Sequence, residues 1–338
     1  MKAIVYREHG DTDVLQLVDR EPPEPGPGEV RVRIAVSGVN PTDWKTRAGT
    51  GGRGGPAEFI PHLDGAGVVD AVGDGVDRGR VGQRVWLLTT ATGRGTAAEC
   101  TVVNAEQAVP LPDEAGFDLG AALGVPAHTA HRALTVAEDG PSRLRPGALE
   151  GKVVLAAGGA GAVGHAAIQL ARWAGATVIS TISGPEKARL ATAAGAHHVV
   201  NYREGDPAGE IRRIAPDGVD IIAEVALGAN LDLDLAVLRT RGTIAVYAND
   251  GDEPVGLNVG QNMMLNTRFQ FLVLYTVGSK VLAEASEDVA AAVADGALPV
   301  GEEHGLPLLR FPLDRTAEAH RAVEGGAVGK VLVDVASA

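Results

Sequence analysis

The sequence reads Lys152-Val-Val-Leu-Ala-Ala-Gly-Gly-Ala-Gly-Ala-Val-Gly164 at the point that decides the fold. The apolar residues at its start predict a buried parallel strand, and the glycines that follow predict a tight turn. Residues 165–174 carry apolar side chains at helical spacing, and residues 177–181 form a second apolar run. The predicted order is therefore strand, glycine turn, helix, strand.

Three glycines stand at the spacing Gly159-x-Gly161-x-x-Gly164 in this turn. In a dinucleotide-binding unit, one such glycine makes the turn, one lets the backbone approach a pyrophosphate, and one packs the helix on the strand. The start of the helix then offers free N–H groups to the phosphate charge. A glycine-rich turn in another kind of α/β protein is the competing interpretation, because 45 glycines produce such spacings by chance.

The end of the second strand bears on the choice of dinucleotide. An acidic residue there would bind the ribose 2′-hydroxyl and repel a 2′-phosphate, but residues 180–185 contain none. Ser183 can donate a hydrogen bond, and Lys187 and Arg189 can supply positive charge. These residues predict NADPH rather than NADH, unless Ser183 merely begins the next helix and Lys187 is an ordinary solvated charge.

The composition is that of a folded soluble protein. A chain of 338 residues, with 45% hydrophobic and 22% charged residues, is typical of two domains. Its formal net charge of −13 argues against nucleic-acid binding, which needs a basic surface. The single cysteine, Cys100, excludes an intrachain disulfide and a four-cysteine zinc site. The N-terminus lacks a secretory pattern and no apolar run reaches the length of a membrane span, so we expect a cytoplasmic enzyme without a membrane partner.

The pattern changes along the chain from β-rich to alternating α and β. Residues 29–36 alternate apolar and polar side chains, and residues 1–100 as a whole predict an irregular antiparallel barrel. Strands and helices alternate over residues 152–247, which predicts a doubly wound parallel sheet. The apolar stretch 268–277, a helix over 281–295 and a strand over 331–335 are expected to return to the first domain.

Motifs along nearly the whole chain resemble the medium-chain dehydrogenase/reductase family, in particular its zinc-free quinone oxidoreductase branch, which is similar to zeta-crystallin. Besides the glycine turn, they are Glu29-Val-Arg-Val, Gly38-Val-Asn40-Pro-Thr-Asp43, Asp64-Gly-Ala-Gly-Val-Val, Gly82-Gln-Arg-Val, Pro126-Ala, Asn201-Tyr202-Arg and Gly329-Lys330. The resemblance implies an α/β protein of two domains. A GroES-like irregular β-barrel catalytic domain takes residues 1–124 and 269–338, and a Rossmann domain with the doubly wound sheet takes residues 125–268.

Zinc-dependent members of this family carry metal ligands in three places: the turn after Gly-Val, the start of the following strand, and the helix before the nucleotide domain. Those positions hold Asn40, Leu63-Asp64 and about Val125 here, so a tetrahedral site with nitrogen and sulfur ligands cannot be built. His62 lies one residue from a ligand position and is expected to pack or hydrogen-bond locally. His128 and His131 share a helix face and are expected to line a cleft or the surface rather than bind a metal.

Without a Lewis acid, the remaining reaction is hydride transfer from NADPH to a quinone or an α,β-unsaturated ketone, in which conjugation already makes a carbon electrophilic. By resemblance, Asn40 lies near the nicotinamide and the substrate. Hydride addition builds charge on a distant oxygen, so we expect Lys45 or an ordered water to donate there. Trp44 is expected to form a wall of the site. A solvated lysine paired with an acid is the alternative for Lys45.

The resemblance also implies the contacts of the cofactor. The phosphates would lie against the glycine turn, the 2′-phosphate or adenosine against side chains after the next two strands, and the nicotinamide end against three further residues. In that order, the residues are Gly159, Gly161, Ala162, Val163 and Gly164; Ser183, Lys187 and Tyr202; and Thr129, Asn249 and Lys330.

Three further expectations concern assembly, a loop and the choice of function. Relatives pair the edge strands of their nucleotide domains across a dimer, and the apolar stretch 268–277 needs such cover, so a homodimer is expected. The glycine-rich loop 49–56 is expected to be a mobile lid or a tolerated surface insertion. Two other functions stay open: an enoyl-thioester or secondary-metabolite tailoring reductase, and an NADPH-binding protein without turnover.

Overall fold

A computed structural model describes residues 1–50, 58–89, 93–249 and 254–335. The chain forms two compact units, which we call the discontinuous unit (Met1–Val125 and Pro307–Ala338) and the central unit (Pro126–Leu306). The strands are β1 (Lys2–Val5), β2 (Gln16–Asp19), β3 (Glu29–Val39), β4 (Asp64–Val72), β5 (Arg84–Leu88), β6 (Cys100–Asn104), β7 (Ala108–Pro110), β8 (Val153–Ala157), β9 (Thr177–Ile182), β10 (His198–Asn201), β11 (Val219–Glu224), β12 (Leu238–Val246), β13 (Arg268–Phe271), β14 (Leu308–Pro312) and β15 (Lys330–Asp334). The helices are α1 (Pro41–Arg47), α2 (Phe117–Leu134), α3 (Ala162–Trp173), α4 (Pro185–Ala193), α5 (Pro207–Ile214), α6 (Leu227–Val237), α7 (Val259–Leu265), α8 (Ser279–Ala294) and α9 (Thr316–Glu324).

The central unit is built on a parallel sheet of six strands in the order β10-β9-β8-β11-β12-β13. Because the order reverses between β8 and β11, their carboxyl ends flank a topological switch point, where open α/β sheets bind ligands. The strands carry apolar side chains on both faces, as a sheet covered by helices on both sides requires. Leu155, Ile179, Ile222 and Ile244 are all nearly fully buried. The predicted doubly wound sheet is confirmed.

The discontinuous unit contains a sheet of seven strands in the order β14-β15-β3-β4-β5-β7, with β6 pairing β3 off this path. All these pairs are antiparallel except β14 with β15. The long strand β3 follows the predicted alternation, because Val30, Val32 and Ile34 are fully buried while their neighbours are more exposed. The irregular, mainly antiparallel barrel is therefore confirmed.

The structure corrects the predicted point of return to the first domain, which moves from residue 269 to Pro307. The strand that was assigned to the first domain pairs in parallel with β12, with Thr243 opposite Arg268, and completes the sheet of the central unit. It also ends at Phe271, and within the rest of the apolar stretch 268–277, residues 274–276 form a short 3₁₀ turn. Hydrogen-bonding of α8 to the loop before β8, through Asp288 and Arg143, keeps that helix in the central unit as well.

Two further expectations concern the glycine-rich loop and the absence of a membrane span, and the described ranges decide what can be said of each. Most of the glycine-rich loop 49–56 lies outside the described residues, so both interpretations of that loop stay predictions. Within the ranges given above, no helix combines the length and the apolar character that crossing a membrane requires.

Candidate functional site

The glycine turn after β8 contains two glycines that the packing of the fold requires and one that it does not require. A Cβ atom on Gly159 would lie 2.1 Å from Ser180 Oγ, and one on Gly164 would lie 2.4 Å from the carbonyl oxygen of Gly158. Both distances are far below contact distance, so the packing of α3 on the sheet requires glycine at these two positions.

Gly161 lies under no such constraint. The nearest atom to a Cβ at this position is the Gly158 carbonyl oxygen at 3.4 Å, and the φ angle of −88° suits any residue. Gly161 is also the N-cap of α3, whose first N–H groups, at Ala162 and Val163, have no partner within the helix. A bare backbone beside unpaired N–H groups fits a pyrophosphate, so this turn suits the phosphates of a dinucleotide.

The residues predicted for the adenosine end lie at the carboxyl ends of neighbouring strands. Ser183 follows β9 and Tyr202 follows β10, and the Tyr202 N–H donates to the carbonyl of Ile182 over 3.1 Å. Lys187 is exposed on the first part of α4 and forms no ion pair with the described residues. The structure therefore brings Ser183 and Tyr202 side by side, with Lys187 on the helix that follows Ser183.

The roles of two arginines near the adenosine end differ from what the sequence predicted. Arg189, which was expected to supply positive charge, forms an ion pair of 2.7 Å with Glu302. Arg203, which was not predicted, lies with its guanidinium carbon 5.9 Å from the centre of the Tyr202 ring. Arg203 could have been predicted as a site residue from its position directly after Tyr202, because both residues follow the end of the same strand.

A buried polar network in the discontinuous unit centres on Asp64. Its Oδ1 accepts a hydrogen bond of 2.6 Å from the N–H of Val125, and its Oδ2 accepts from Asn40 Nδ2 at 2.7 Å and from Lys330 Nζ at 2.8 Å. Lys330 also donates to Asn40 Oδ1 over 2.7 Å. The side chains of Asp64, Asn40 and Lys330 are at most 2% exposed. Gly124 allows this approach, since a Cβ there would lie 2.2 Å from Asp64 Oδ1.

The network assembles the three positions that the resemblance assigned to the metal ligands of zinc-dependent family members. Asn40, Asp64 and Val125 converge, as the resemblance implied, but their polar atoms bind one another and the Lys330 ammonium. Sequence reasoning identified Asn40 and Lys330 but did not include Asp64 among the site residues. Lys330 was expected to contact the nicotinamide end. Its observed partners are Asn40 and Asp64, and the nicotinamide contact stays a prediction.

Trp44 and Lys45 lie on α1, which begins directly after Asn40. The Asn40 N–H donates to the Asp43 carboxylate over 2.7 Å, which closes the first turn of the helix and fixes where Asn40 stands. The Lys45 ammonium lies 5.7 Å from the centre of the Trp44 ring, and both side chains are partly exposed. The structure thus places the three predicted acceptor-side residues, Asn40, Trp44 and Lys45, within one short segment.

Thr129 and Asn249, the other residues predicted for the nicotinamide end, both lie in the central unit. Thr129 is buried on α2. Asn249 follows β12, and its Oδ1 accepts a hydrogen bond of 2.8 Å from the N–H of Gly228 in the first turn of α6. Asn249 therefore holds the start of a helix in this structure, and the cofactor contacts of both residues remain predictions.

The histidines on α2 are buried rather than exposed on the surface. His128 lies 2.9 Å from Ser286 Oγ, and His131 Nε2 lies 2.7 Å from Asp288 Oδ2. Burial would raise the pKa of Asp288, but hydrogen bonds from His131, Arg143 and the Leu144 N–H lower it to about 2. These contacts join α2 to α8. No group of three metal-ligating side chains is placed to hold an ion among the residues that the structure describes.

His62 forms the local hydrogen bonds that its position suggested. Its Nδ1 lies 2.8 Å from Ser37 Oγ and its Nε2 lies 3.0 Å from Nε2 of His320, with all three residues fully buried. Burial lowers the pKa of both histidines, and the nearby Arg47 guanidinium further lowers that of His320 to about 3. Both rings are therefore neutral at physiological pH and serve the packing of the barrel.

Comparisons with known proteins agree with this architecture. The profile of the alcohol dehydrogenase GroES-like domain matches residues 26–113, and that of the zinc-binding dehydrogenase family matches residues 162–292. The quinone oxidoreductase of Lama guanicoe is 33% identical, over 98% of this chain and 97% of its own.

Solved structures of similar proteins include an NAD-dependent enzyme and a complex with NADPH. An NAD-dependent alcohol dehydrogenase superposes with a TM-score of 0.85 at 28% identity, over 99% of this chain and 100% of its own. The Escherichia coli quinone oxidoreductase, solved in complex with NADPH, gives 0.80 at 26% identity, again over 99% and 100%. The sheet order, the glycine turn and the full-length similarity lead to one conclusion: the chain belongs to the medium-chain dehydrogenase/reductase family, within its quinone oxidoreductase branch.

Proposed function

We propose that this protein is an NADPH-dependent reductase that transfers a hydride to a quinone or an α,β-unsaturated ketone without a metal ion. The observation that carries the proposal is the buried network in which Lys330 binds Asn40 and Asp64, two residues at positions where zinc-dependent relatives carry metal ligands. Membership of the family supports the oxidoreductase class, and the network supports the choice of acceptor.

The donor set of this network is poorly suited to a divalent ion. The Asp64 carboxylate is already neutralised by the Lys330 ammonium, and the Asn40 amide is a much weaker ligand for zinc than a thiolate or an imidazole. A zinc ion at these residues would also lie against the ammonium charge. The acceptor must therefore activate itself, and conjugation in a quinone or an enone does so.

The coenzyme supplies a hydride, and the acceptor takes up this hydride and one proton. Asn40 is held rigidly by Asp64 and Lys330, and its Nδ2 carries a second proton beyond the one donated to Asp64. We propose that this N–H orients the acceptor, that Trp44 forms one wall, and that Lys45 or an ordered water donates to the developing oxyanion. The side chains of this short segment would then provide most of the acceptor-side contacts.

The role of Lys45 can be tested by substitution. If Lys45 donates to the oxyanion, Lys45→Met will lower kcat by about 10–100-fold. This loss reaches the lower end of the range that is usual for general acid–base catalysis. Lys45→Arg keeps a cationic donor and should retain most of the activity. Steady-state kinetics with one quinone at saturating NADPH give the comparison. Equal kcat for the methionine variant and the unaltered enzyme would assign the proton to water or to another residue.

NADPH is supported as the coenzyme by the NADPH complex of the Escherichia coli relative and by four side chains of this chain. Ser183, Tyr202 and Arg203 follow the ends of β9 and β10, and Lys187 lies on α4. None of these four side chains is acidic, and the exposed Lys187 is not paired with a carboxylate in the described structure. A charge-assisted hydrogen bond to a 2′-phosphate contributes about 1.5–3 kcal/mol, or roughly tenfold or more in affinity.

Lys187→Gln is expected to reduce the preference for NADPH over NADH by about tenfold, because a direct contact to the phosphate is lost. Arg189→Gln is the matched control on the same helix, since Arg189 is paired with Glu302 and should leave the preference unchanged. The ratio of kcat/KM for the two coenzymes is the measurement. An unchanged ratio in Lys187→Gln would remove Lys187 from the phosphate site.

We propose that the protein forms a homodimer through the edge of the central sheet. β13 is an edge strand, and the apolar side chains on and beside it are exposed, at 64% for Phe271 and 52% for Val273. An edge of this kind invites pairing with another strand, and a second copy would cover it. Sedimentation at micromolar concentration should give a dimer, and Phe271→Arg should shift the mass toward the monomer. A monomeric unaltered protein would refute this assembly.

The function as a whole is tested by following NADPH oxidation with a panel of acceptors after dialysis against a chelator. Quinones and enones should be reduced at the same rate before and after dialysis, and a saturated aldehyde should not react. Faster reduction of 2-enoyl thioesters than of quinones would favour the enoyl-thioester or tailoring alternative. Loss of activity on dialysis, restored by zinc, would contradict the metal-free reaction. NADPH binding without reduction of any acceptor would favour a non-catalytic protein.

A further inference from the structure

Two carboxylic acids are buried together at the end of the central sheet. Glu224 is the last residue of β11, and Asp234 lies on α6, the helix that follows. Their side chains are 0% and 1% exposed. Two ionised carboxylates in such a position would repel each other without screening by water, so the pair requires an explanation.

The hydrogen bonds of the pair leave a place for one shared proton. Glu224 Oε1 accepts from the N–H of Ala226 and from Asn230 Nδ2, the latter at 2.9 Å. Glu224 Oε2 and Asp234 Oδ2 are buried and have no donor in the described chain. The two side chains influence each other's pKa directly, so a proton on one of them could be donated to the other. A hydrogen bond between two carboxyl groups requires one proton, because an ionised carboxylate can only accept.

The surroundings decide which acid carries the proton. Burial, with the neighbouring charge of Glu224, raises the pKa of Asp234 to about 9. Burial also raises the pKa of Glu224, but the bonds from Ala226 and Asn230 favour its ionised form. Among the described residues, Tyr247 also faces the pair, and burial and the Glu224 charge raise the pKa of its phenol, which stays neutral. These surroundings favour the proton on Asp234 and the negative charge on Glu224.

The pair stands directly beside the glycine turn. β11 pairs with β8 in parallel, with Ala223 opposite Ala156, so Glu224 leaves the sheet beside the start of the turn. A Cβ on Gly158 would lie 3.3 Å from Cγ1 of Val225, the residue after Glu224. Residues 225–228, which we call the α6 turn, therefore border the segment that was assigned above to the phosphates.

We propose that Asp234 is a positioning residue for the coenzyme, which acts by sharing one proton with Glu224 so that Glu224 can hold the α6 turn. Glu224 Oε1 accepts from Ala226 and Asn230, and a proton on Asp234 would give the otherwise unpartnered Glu224 Oε2 a donor as well. Loss of the shared proton would place two negative charges in a closed space and push α6 from β11. This inference rests on the coenzyme site of the proposed function.

Coenzyme affinity as a function of pH tests the positioning role. In the unaltered protein, Kd for NADPH is expected to rise about tenfold between pH 7 and pH 10, because the binding-competent, protonated pair falls to about a tenth of the population one unit above its pKa. In Asp234→Asn, an amide N–H replaces the acid O–H, so Kd at pH 7 should stay within about threefold of that of the unaltered protein. The part of the rise in Kd between pH 7 and pH 10 that comes from the pair should be absent in this variant. Lys187 is present in both proteins, so its own titration cancels in the comparison.

Unfolding without coenzyme tests the shared proton independently. Between pH 4 and pH 9 the folded protein holds a proton on Asp234 that the unfolded chain releases, so the pair makes stability fall as pH rises through this range. Asp234→Asn removes this linkage, and the difference in Tm between variant and unaltered protein should grow with pH. Glu224→Gln should behave in the same way, since its amide donates to an ionised Asp234, and it serves as the second variant if Asp234→Asn does not fold.

The two measurements separate the possible failures. A difference in Tm that does not depend on pH would show that no proton is shared and would overturn the inference. A pH-dependent difference with parallel Kd profiles would show a shared proton without a positioning role, which also overturns it. Absence of NADPH binding at every pH, with the Tm difference intact, would instead refute the proposed function and with it the positioning role.

Discussion

Replacing Lys330 with methionine is expected to lower the free energy of unfolding by about 3–5 kcal/mol, the usual cost of removing one partner of a buried ion pair. Asp64 is fully buried, and its carboxylate would keep only the N–H groups of Asn40 and Val125. Asn40 Oδ1 would lose its ammonium donor at the same time. Denaturant unfolding at pH 7 measures the change.

The double variant Lys330→Met/Asp64→Asn provides the control for this prediction. It removes both charges, so much of the stability lost in the single variant should return, because no uncompensated carboxylate remains buried. A single variant within 1 kcal/mol of the unaltered protein would show that Asp64 is neutral in the folded state. It would also weaken the proposal that an ammonium ion takes the place of a metal in this family member.

The second large effect is expected at Gly161, where Gly161→Ala should raise the Kd for NADPH by about 100-fold with little change in stability. The methyl group would occupy the space through which the pyrophosphate approaches the backbone. Such a loss corresponds to about 2.8 kcal/mol, at 1.4 kcal/mol for each factor of ten. The fold should tolerate the change, because the nearest atom to the new Cβ is 3.4 Å away.

Gly164→Ala is the matched control, with the same chemical change three residues further along. Its Cβ would meet the Gly158 carbonyl oxygen at 2.4 Å, which backbone cannot readily avoid, so stability should fall by about 1–3 kcal/mol. Coenzyme titration and denaturant unfolding of both variants give the comparison. Tight NADPH binding by Gly161→Ala would place the phosphates elsewhere. An equal loss of stability in both variants would mean that Gly161 is needed for folding.

Local patterns in the sequence were sufficient for the fold class and for the glycine turn. Apolar runs, helical spacing and glycine placement over residues 152–181 depend on neighbours a few positions apart, and the structure has the strand, turn, helix and strand as predicted. The same holds for the alternation in β3. These features follow from backbone geometry and from burial of one face, which short segments already encode.

The point of return to the first domain could not be found in this way. The stretch 268–277 is apolar and rich in β-forming residues, and a strand within it can complete either of two sheets with equal local preference. Its pairing with β12 is decided by where the edge of the central sheet stands, and this depends on the whole unit.

The candidate site likewise contains features that local sequence predicts and features that only the folded chain decides. The sequence by itself determined that Asn40, the glycine turn and Ser183 stand at loop ends after predicted strands, because strand ends can be placed from local pattern. Only the tertiary structure decided that the Lys330 ammonium meets Asn40 across 290 positions of sequence, that Arg189 is paired with Glu302, and that Glu224 and Asp234 share a closed space. The partner of a buried charge is chosen by distance in the folded chain, and no local pattern records that distance.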